Sequence, residues 1–452
     1  MTVATRPAPG PPREYHFPEF TRHTLANGLR VIVAPVRKLP VVSVLAVVDA
    51  GATVDPPGRE GLAQLTAEAL REGTEKKGGV EILEGFESLG SSLEAGADWD
   101  SSIVSMTILS DHLEKGLSLM AEVLTSASFP EHEIERLKAE RLAERMQILS
   151  EPRGLADESF SRLLYAAESR YAEPIGGTSE SIAAITRADV AGFFSSRYTP
   201  TTVTVIVAGD IGAEEALSSL EKALGSWKGN PAGSRTISGK ESRESRSLEI
   251  VNKPDAAQAE LRLGHLGIPR NHPDYFKVVV MNALLGGLFS SRINLNLRER
   301  HGYTYGASSY FDWRREAGPF VIATAVQSET TANAIRECLT EIDGMRSQEV
   351  PPEELSLATD YLDGVFPIRY ETTSAIASAL ANIVIFNLPE NFYNTYRFNI
   401  RSVTPADVLE AAKTYVHPEK LQVLVVGNPD IVKQPLEELS FGAVSVRPPS
   451  EK

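Results

Sequence analysis

Hydrophobic and polar positions along the chain sort into two kinds of segment. TLANGLRVIVAPV and VVSVLAVVDA contain short apolar runs rich in β-branched residues, which predict strands. Asn27 and Gly28 stand between the first two runs and predict a tight type I′ hairpin. Helical spacing follows over roughly 60–73, 80–88, 111–126 and 130–149, with the strand pattern SIVSMTIL between the second and third. Strands mixed with helices in this order predict an α+β layer structure.

The plan then repeats. TRADVAGFFSSRYTPTTVTVIVAG, from Thr186, aligns without gaps to TPADVLEAAKTYVHPEKLQVLVVG, from Thr404. Thr186/Thr404, Asp189/Asp407, Val190/Val408, Pro200/Pro418, Val205/Val423 and Gly209/Gly427 coincide. In each copy a threonine with an aspartate three residues on predicts a capped helix, and a Val-rich run before glycine predicts a strand. The second half continues the plan, with strands at AELRLGHLG, YGASSYF and GPFVIATAV, helices from Asp274 to His301, and helices again from Thr331. The expected organisation is two homologous α+β domains, 19–227 and 247–440, each a mostly antiparallel sheet packed against helices. The Gly-, Ser- and charge-rich stretch 228–246 is the linker between them.

Length agrees with this, since 452 residues exceed what one core fills. The formal net charge of -15 argues against a nucleic-acid partner and suits a basic or neutral one. The single cysteine, Cys338, excludes an internal disulfide framework and reads as a buried, inert thiol. The first 18 residues lack the apolar core of a signal peptide, and no run approaches a membrane span. The expected compartment is the cytoplasm, or the periplasm if a signal segment has been removed.

Common catalytic motifs are missing. There is no GxSxG, P-loop or CxxC, and LLGGLFSSR has the wrong spacing for a dinucleotide loop. None of the eight histidines lies within four residues of another, and His132, at the start of an acidic helix, reads as exposed.

One segment nevertheless has the frame of a metal motif. GREGLAQLTAEALREGTEKK, from Gly58 to Lys77, resembles GLAHLLEHMLFKGT of the pitrilysin family, which includes insulysin and the mitochondrial processing peptidase. In active members of that family, histidines at i and i+4 bind zinc and the glutamate between them is the general base. Superposed on Gly61-Leu62-Ala63 and Gly73-Thr74, Gln64 and Glu68 stand at the histidine positions and Ala67 at the base. The remaining ligand, a glutamate further on, falls at Arg145, with Glu144 one residue away. The expectation is therefore no metal in this chain.

A second family segment survives. SSRINLNLRERHGYTYGASSYF resembles SRLxxxLREKxGLxYxVxS, placing Arg298 and Tyr305 at the spacing of the family's substrate-binding arginine and tyrosine. Taken alone, Arg298 fits an ordinary exposed charge run and Tyr305 a sheet contact. The surrounding match favours a guanidinium and a phenol that converge on one peptide carbonyl or oxyanion. The resemblance spans Thr24 to Gly427 and implies the fold of a half-clamshell. It also implies a role like that of the metal-free chain of bacterial heterodimers in this family, which supplies the Arg/Tyr pair to a zinc-bearing partner and is not expected to be active alone. The alternatives are a non-enzymatic structural or peptide-binding scaffold, an enzyme with a different metal site, and a homodimer when the partner is absent.

Overall fold

The computed structural model describes residues 14–229 and 245–449. Most of the linker expected at 228–246, residues 230–244, lies outside the described residues.

The first sheet contains β1 (Thr21–Thr24), β2 (Arg30–Pro35), β3 (Val41–Val48), β4 (Glu94–Ala97), β5 (Ser102–Leu109) and β6 (Val203–Gly209). The second contains β7 (Ser247–Asn252), β8 (Ala259–Leu266), β9 (Ala307–Phe311), β10 (Pro319–Val326), β11 (Gln422–Gly427) and β12 (Val444–Arg447). Strand order is β1-β2-β6-β3-β5-β4 in one and β12-β7-β11-β8-β10-β9 in the other. Leaving out β1 and β12, the orders are the same, and so are the senses: β2·β6 and β7·β11 are parallel, the remaining pairs antiparallel. The duplication read from the sequence is thus a duplication of topology. Both predicted capping boxes form, with Thr186 accepting from the Asp189 amide and Thr404 from that of Asp407, each at 3.2 Å.

The central strands β6, β8 and β11 are buried along their whole length, which requires cover on both faces. The two domains provide it reciprocally. The helix Pro152–Leu164 of the first half lies on β8 and β11, and the helix Thr373–Ile385 of the second half lies on β3 and β6. Leu155, Phe160 and Leu164 pack with Val251, Leu424 and Val426. Ile376, Ala377 and Leu380 share a cluster with Ile32, Leu45, Val47 and Ile206, and Ser43 meets the Thr373 hydroxyl at 2.8 Å. Each half lends one helix to the other.

Two local expectations are corrected. Asn27-Gly28 does not form a type I′ turn, because only Gly28 has positive φ (+89°) and the type needs two such residues. The loop is wider, closed by Leu25 N–H to the Leu29 carbonyl, and Asn27 is spent donating to the carbonyls of Leu224 and Trp227. The helices expected from Asp274 to His301 are Tyr275–Asn282, a wide turn over Ala283–Gly287, a short turn Arg292–Asn294 and a second wide turn over Leu295–Arg300. Gly286 lies so close to β9 that a Cβ there would stand 2.4 Å from Ser309 Oγ. Tyr275–Arg300 also has the length and apolar composition of a membrane span, which the sequence reading did not recognise; Val278, Met281, Leu285 and Leu297 belong to the core beneath the second sheet, whereas Phe289 and Leu295 are exposed.

Candidate functional site

The helix Leu62–Ala69 that carries the degenerate motif starts at Gly61, whose φ of +94° suits glycine. Gly61 passes the loop at Gly176 so closely that a Cβ would fall 2.3 Å from the Gly176 carbonyl oxygen. Asp55 fixes this start. It accepts from the amides of Gly61 (2.9 Å) and Ala63 (2.8 Å) and from Arg170 Nη2 (3.0 Å), although it is fully buried. Burial pushes its carboxyl up to about 6, opposed by Arg170 and the two amides.

On this helix Gln64 and Glu68 share the half-buried face, with Gln64 Nε2 3.5 Å from Glu68 Oε1, and Ala67 is fully buried. The facing helix, Glu131–Ser150, answers with two arginines one turn apart. Arg141, 7% exposed, is ion-paired to Glu68; Arg145, 3% exposed, is ion-paired to Glu158 of the helix Pro152–Leu164. Glu144 is exposed, so the residue turned inward at the family's third ligand position is the arginine. Gln64, Arg141, Arg145, Trp99, Glu158 and Glu173 line a cavity of about 320 Å³.

The donor set does not fit zinc. A neutral amide and a carboxylate already held by a guanidinium replace two imidazoles, and two cations stand where a divalent ion would add more positive charge. Among the described residues no group of three or more His, Cys, Asp or Glu side chains is placed to hold a metal ion. Arg141 was not singled out from the sequence. Its signal was available, since it lies four residues before Arg145 and so on the same helix face.

Arg298 and Tyr305 lie elsewhere, at the head of β9. Arg298, in the wide turn Leu295–Arg300, places its guanidinium carbon 4.7 Å from the centre of the Phe289 ring, with Nε 3.4 Å from Glu299. Gly302, with φ +65°, follows the turn. Tyr305 is 91% exposed. It precedes β9 instead of lying on it, because Thr304 and Gly306 form a hydrogen-bonded turn around it (Gly306 N–H to Thr304 Oγ1, 3.0 Å). Sheet packing of the Tyr305 ring is excluded by that exposure. Among the described residues Arg298 and Tyr305 share no hydrogen bond or ring contact; the chain turns between them at Gly302, where the Tyr303 amide donates to the Leu297 carbonyl (2.9 Å).

The other candidates behave as bland residues. His132 is exposed and 3.4 Å from Glu133. Cys338 is fully buried, and burial pushes its thiol up to about 12, far from a nucleophile's range.

Fold and site together define a two-domain peptidase-like chain whose metal position has been converted to ion pairs. Two models of one family match in tandem, "Insulinase (Peptidase family M16)" over residues 30–178 and "Peptidase M16 inactive domain" over 184–362. The chain belongs to peptidase family M16, the pitrilysin-type family its sequence resembles. It is 25% identical over 359 residues (78% of this chain, 85% of the relative) to the "Uncharacterized zinc protease YmxG" of Bacillus subtilis. It is likewise 25% identical over 381 residues (84% and 87%) to the "Non-peptidase homolog YmxG" of Helicobacter pylori. The crystal structure of a peptidase M16 inactive domain from Pseudomonas fluorescens matches with a TM-score of 0.85 at 27% identity, covering 90% of this chain and 98% of that one.

Proposed function

We propose that this chain is the metal-free subunit of a heterodimeric M16 peptidase, which binds unfolded peptide through Arg298 and Tyr305 and presents it to a zinc-bearing partner. One contrast carries the reading: the metal position is closed by buried ion pairs, whereas Tyr305 stands almost wholly in solvent on a hydrogen-bonded turn. A large exposed aromatic on a fixed backbone beside a guanidinium suits a site completed by another molecule. The hydrogen-bond donors of Arg298 and the Tyr305 hydroxyl can take a peptide carbonyl or a developing oxyanion, and removal of one such donor costs roughly a hundredfold or more in turnover.

The test is to mix the chain with the zinc-bearing homologue encoded nearest its gene and follow a fluorogenic unfolded peptide. Cleavage that appears on mixing and falls sharply with Arg298→Ala supports the reading. No gain on mixing, or an Arg298→Ala mixture equal to wild type, overturns it. Peptide binding with no hydrolysis in any mixture would support the scaffold alternative instead.

A further inference from the structure

Beside Arg298 and Tyr305 stands a residue with no role so far. Phe289 is 69% exposed, a costly position for a phenyl ring, and lies directly under the Arg298 guanidinium. The guanidinium carbon sits over the ring, 4.7 Å from its centre, and Glu299 is the one ion-pair neighbour of Arg298 among the described residues.

The loop carrying Phe289 is held by a side chain that also holds the Tyr305 turn. Asn294, 3% exposed, donates from Nδ2 to the Phe289 carbonyl (2.7 Å) and accepts at Oδ1 from the Ala307 amide (3.0 Å), two residues beyond Tyr305. Thr324 Oγ1 adds a hydrogen bond to the Gly306 carbonyl (3.0 Å). Two exposed side chains, Phe289 and Tyr305, are thereby mounted on backbone that one buried amide ties together, with the partly buried Arg298 against the Phe289 ring. The adjacent sheet edge is closed, because the Ala307 amide is taken by Asn294 and the Ser309 carbonyl accepts from Asn282 Nδ2 (3.0 Å). A peptide arriving here cannot add as a further strand and must be gripped by side chains.

We infer that Phe289 is the specificity-determining third member of this site, its ring holding Arg298 and receiving a large apolar side chain of an extended peptide, with Asn294 as the positioning residue. The inference rests on the reading of Arg298 and Tyr305 as a peptide-binding pair. Burial of a phenyl side chain against the free part of the Phe289 ring gives selectivity, while Arg298 and Tyr305 engage the backbone of any sequence.

Two fluorescein-labelled unstructured peptides test it by anisotropy with the full chain, alone and mixed with the zinc-bearing homologue: a Gly-Ser peptide with a central Phe-Phe, and the same peptide with Ser-Ser. Wild type is expected to prefer the Phe-Phe peptide by roughly tenfold or more. Phe289→Ser should bring the ratio to near one, with a far larger loss of affinity for the Phe-Phe peptide than for the Ser-Ser peptide, and Phe289→Trp should retain the preference. Asn294→Asp keeps the acceptor for Ala307 but loses the donor to Phe289, so it should also erase the preference; a preference kept in that variant overturns the positioning role. An unchanged ratio in Phe289→Ser, together with weakened binding of both peptides by Arg298→Ala, overturns this inference and leaves the binding pair standing. Failure of wild type to bind either peptide, alone or mixed, overturns both.

Discussion

The guanidinium of Arg141 meets the carboxylate of Glu68, the residue at the second histidine position of the family's zinc motif. Arg145 repeats the arrangement one turn on with Glu158. A metal ion would tie the motif helix to the helix Glu131–Ser150; here ion pairs make that connection, and the second pair reaches on to the helix Pro152–Leu164. The charge at this point is a pair of fixed cations matched by carboxylates.

Breaking the Arg141 pair from the acidic side should therefore be costly. Glu68→Ala leaves a guanidinium uncompensated at a position only 7% exposed, and loss of one partner of a buried pair costs about 3–5 kcal/mol. Glu68 is itself a quarter exposed, so water repays part of that, and the expected loss is about 2 kcal/mol. The double variant Glu68→Ala/Arg141→Met should recover most of it. Urea unfolding of the two variants checks this, and equal losses in both would contradict it.

The same arginines oppose metal binding whatever the motif helix carries. Gln64→His, Ala67→Glu and Glu68→His together rebuild the family's helix ligands, yet they release Arg141 from its partner beside them. The triple variant is expected to purify with far less than stoichiometric zinc. Adding Arg145→Glu and Arg141→Leu should raise the zinc content toward one per chain. Elemental analysis of both proteins decides, and a fully loaded triple variant would show that the two cations are no obstacle.

What could be read in the sequence follows the range of the interactions concerned. Thr186 with Asp189, Thr404 with Asp407, and the strands that follow are local, so the repeat and its capped helices stand where the pattern places them. Asn27-Gly28 misled because the dipeptide signal takes no account of the distant carbonyls of Leu224 and Trp227 that claim the asparagine. Ligand positions 64, 67, 68 and 145 could be aligned by motif, whereas the pairing of Arg141 with Glu68 depends on how two helices face each other. Phe289 and Arg298 are nine residues apart and meet across the loop after Gly287, the short turn Arg292–Asn294 and the start of the wide turn Leu295–Arg300, a break in regular helix that propensity does not announce.

The exchanged helices make the two halves interdependent. A fragment ending at Lys228 leaves Ile32, Leu45, Val47 and Ile206 without the helix Thr373–Ile385 that covers them, and strips the helix Pro152–Leu164 of its sheet. Expressed alone, this fragment should aggregate or bind a hydrophobic dye. Co-expressed with a fragment starting at Ser245, it should yield a soluble complex. A monomeric, cooperatively unfolding fragment on its own would show that each half is a self-sufficient domain.

Acidification should destabilise the second domain through His265. Its ring is buried and neutral: Nδ1 donates to the Leu266 carbonyl (2.8 Å), Nε2 accepts from the His417 amide (3.0 Å), and burial first, then His417, lowers its pKa to about 4. The unfolded chain takes up a proton at about 6.5 and the folded one resists until about 4, so stability is lost as pH falls through that window. Between pH 7 and pH 5 the loss from this group is about 2 kcal/mol. Asp55 acts in the opposite direction, because a carboxyl raised to about 6 gives stability that is complete below its ordinary value of 3.8 and is lost as pH rises through 6. The two are separated by difference. His265→Gln should be less stable than wild type at pH 7 but lose less on going to pH 5, and the change in urea midpoint of the two proteins over that interval measures the contribution of His265. Parallel pH profiles would mean that His265 titrates in the folded state much as it does in the unfolded one.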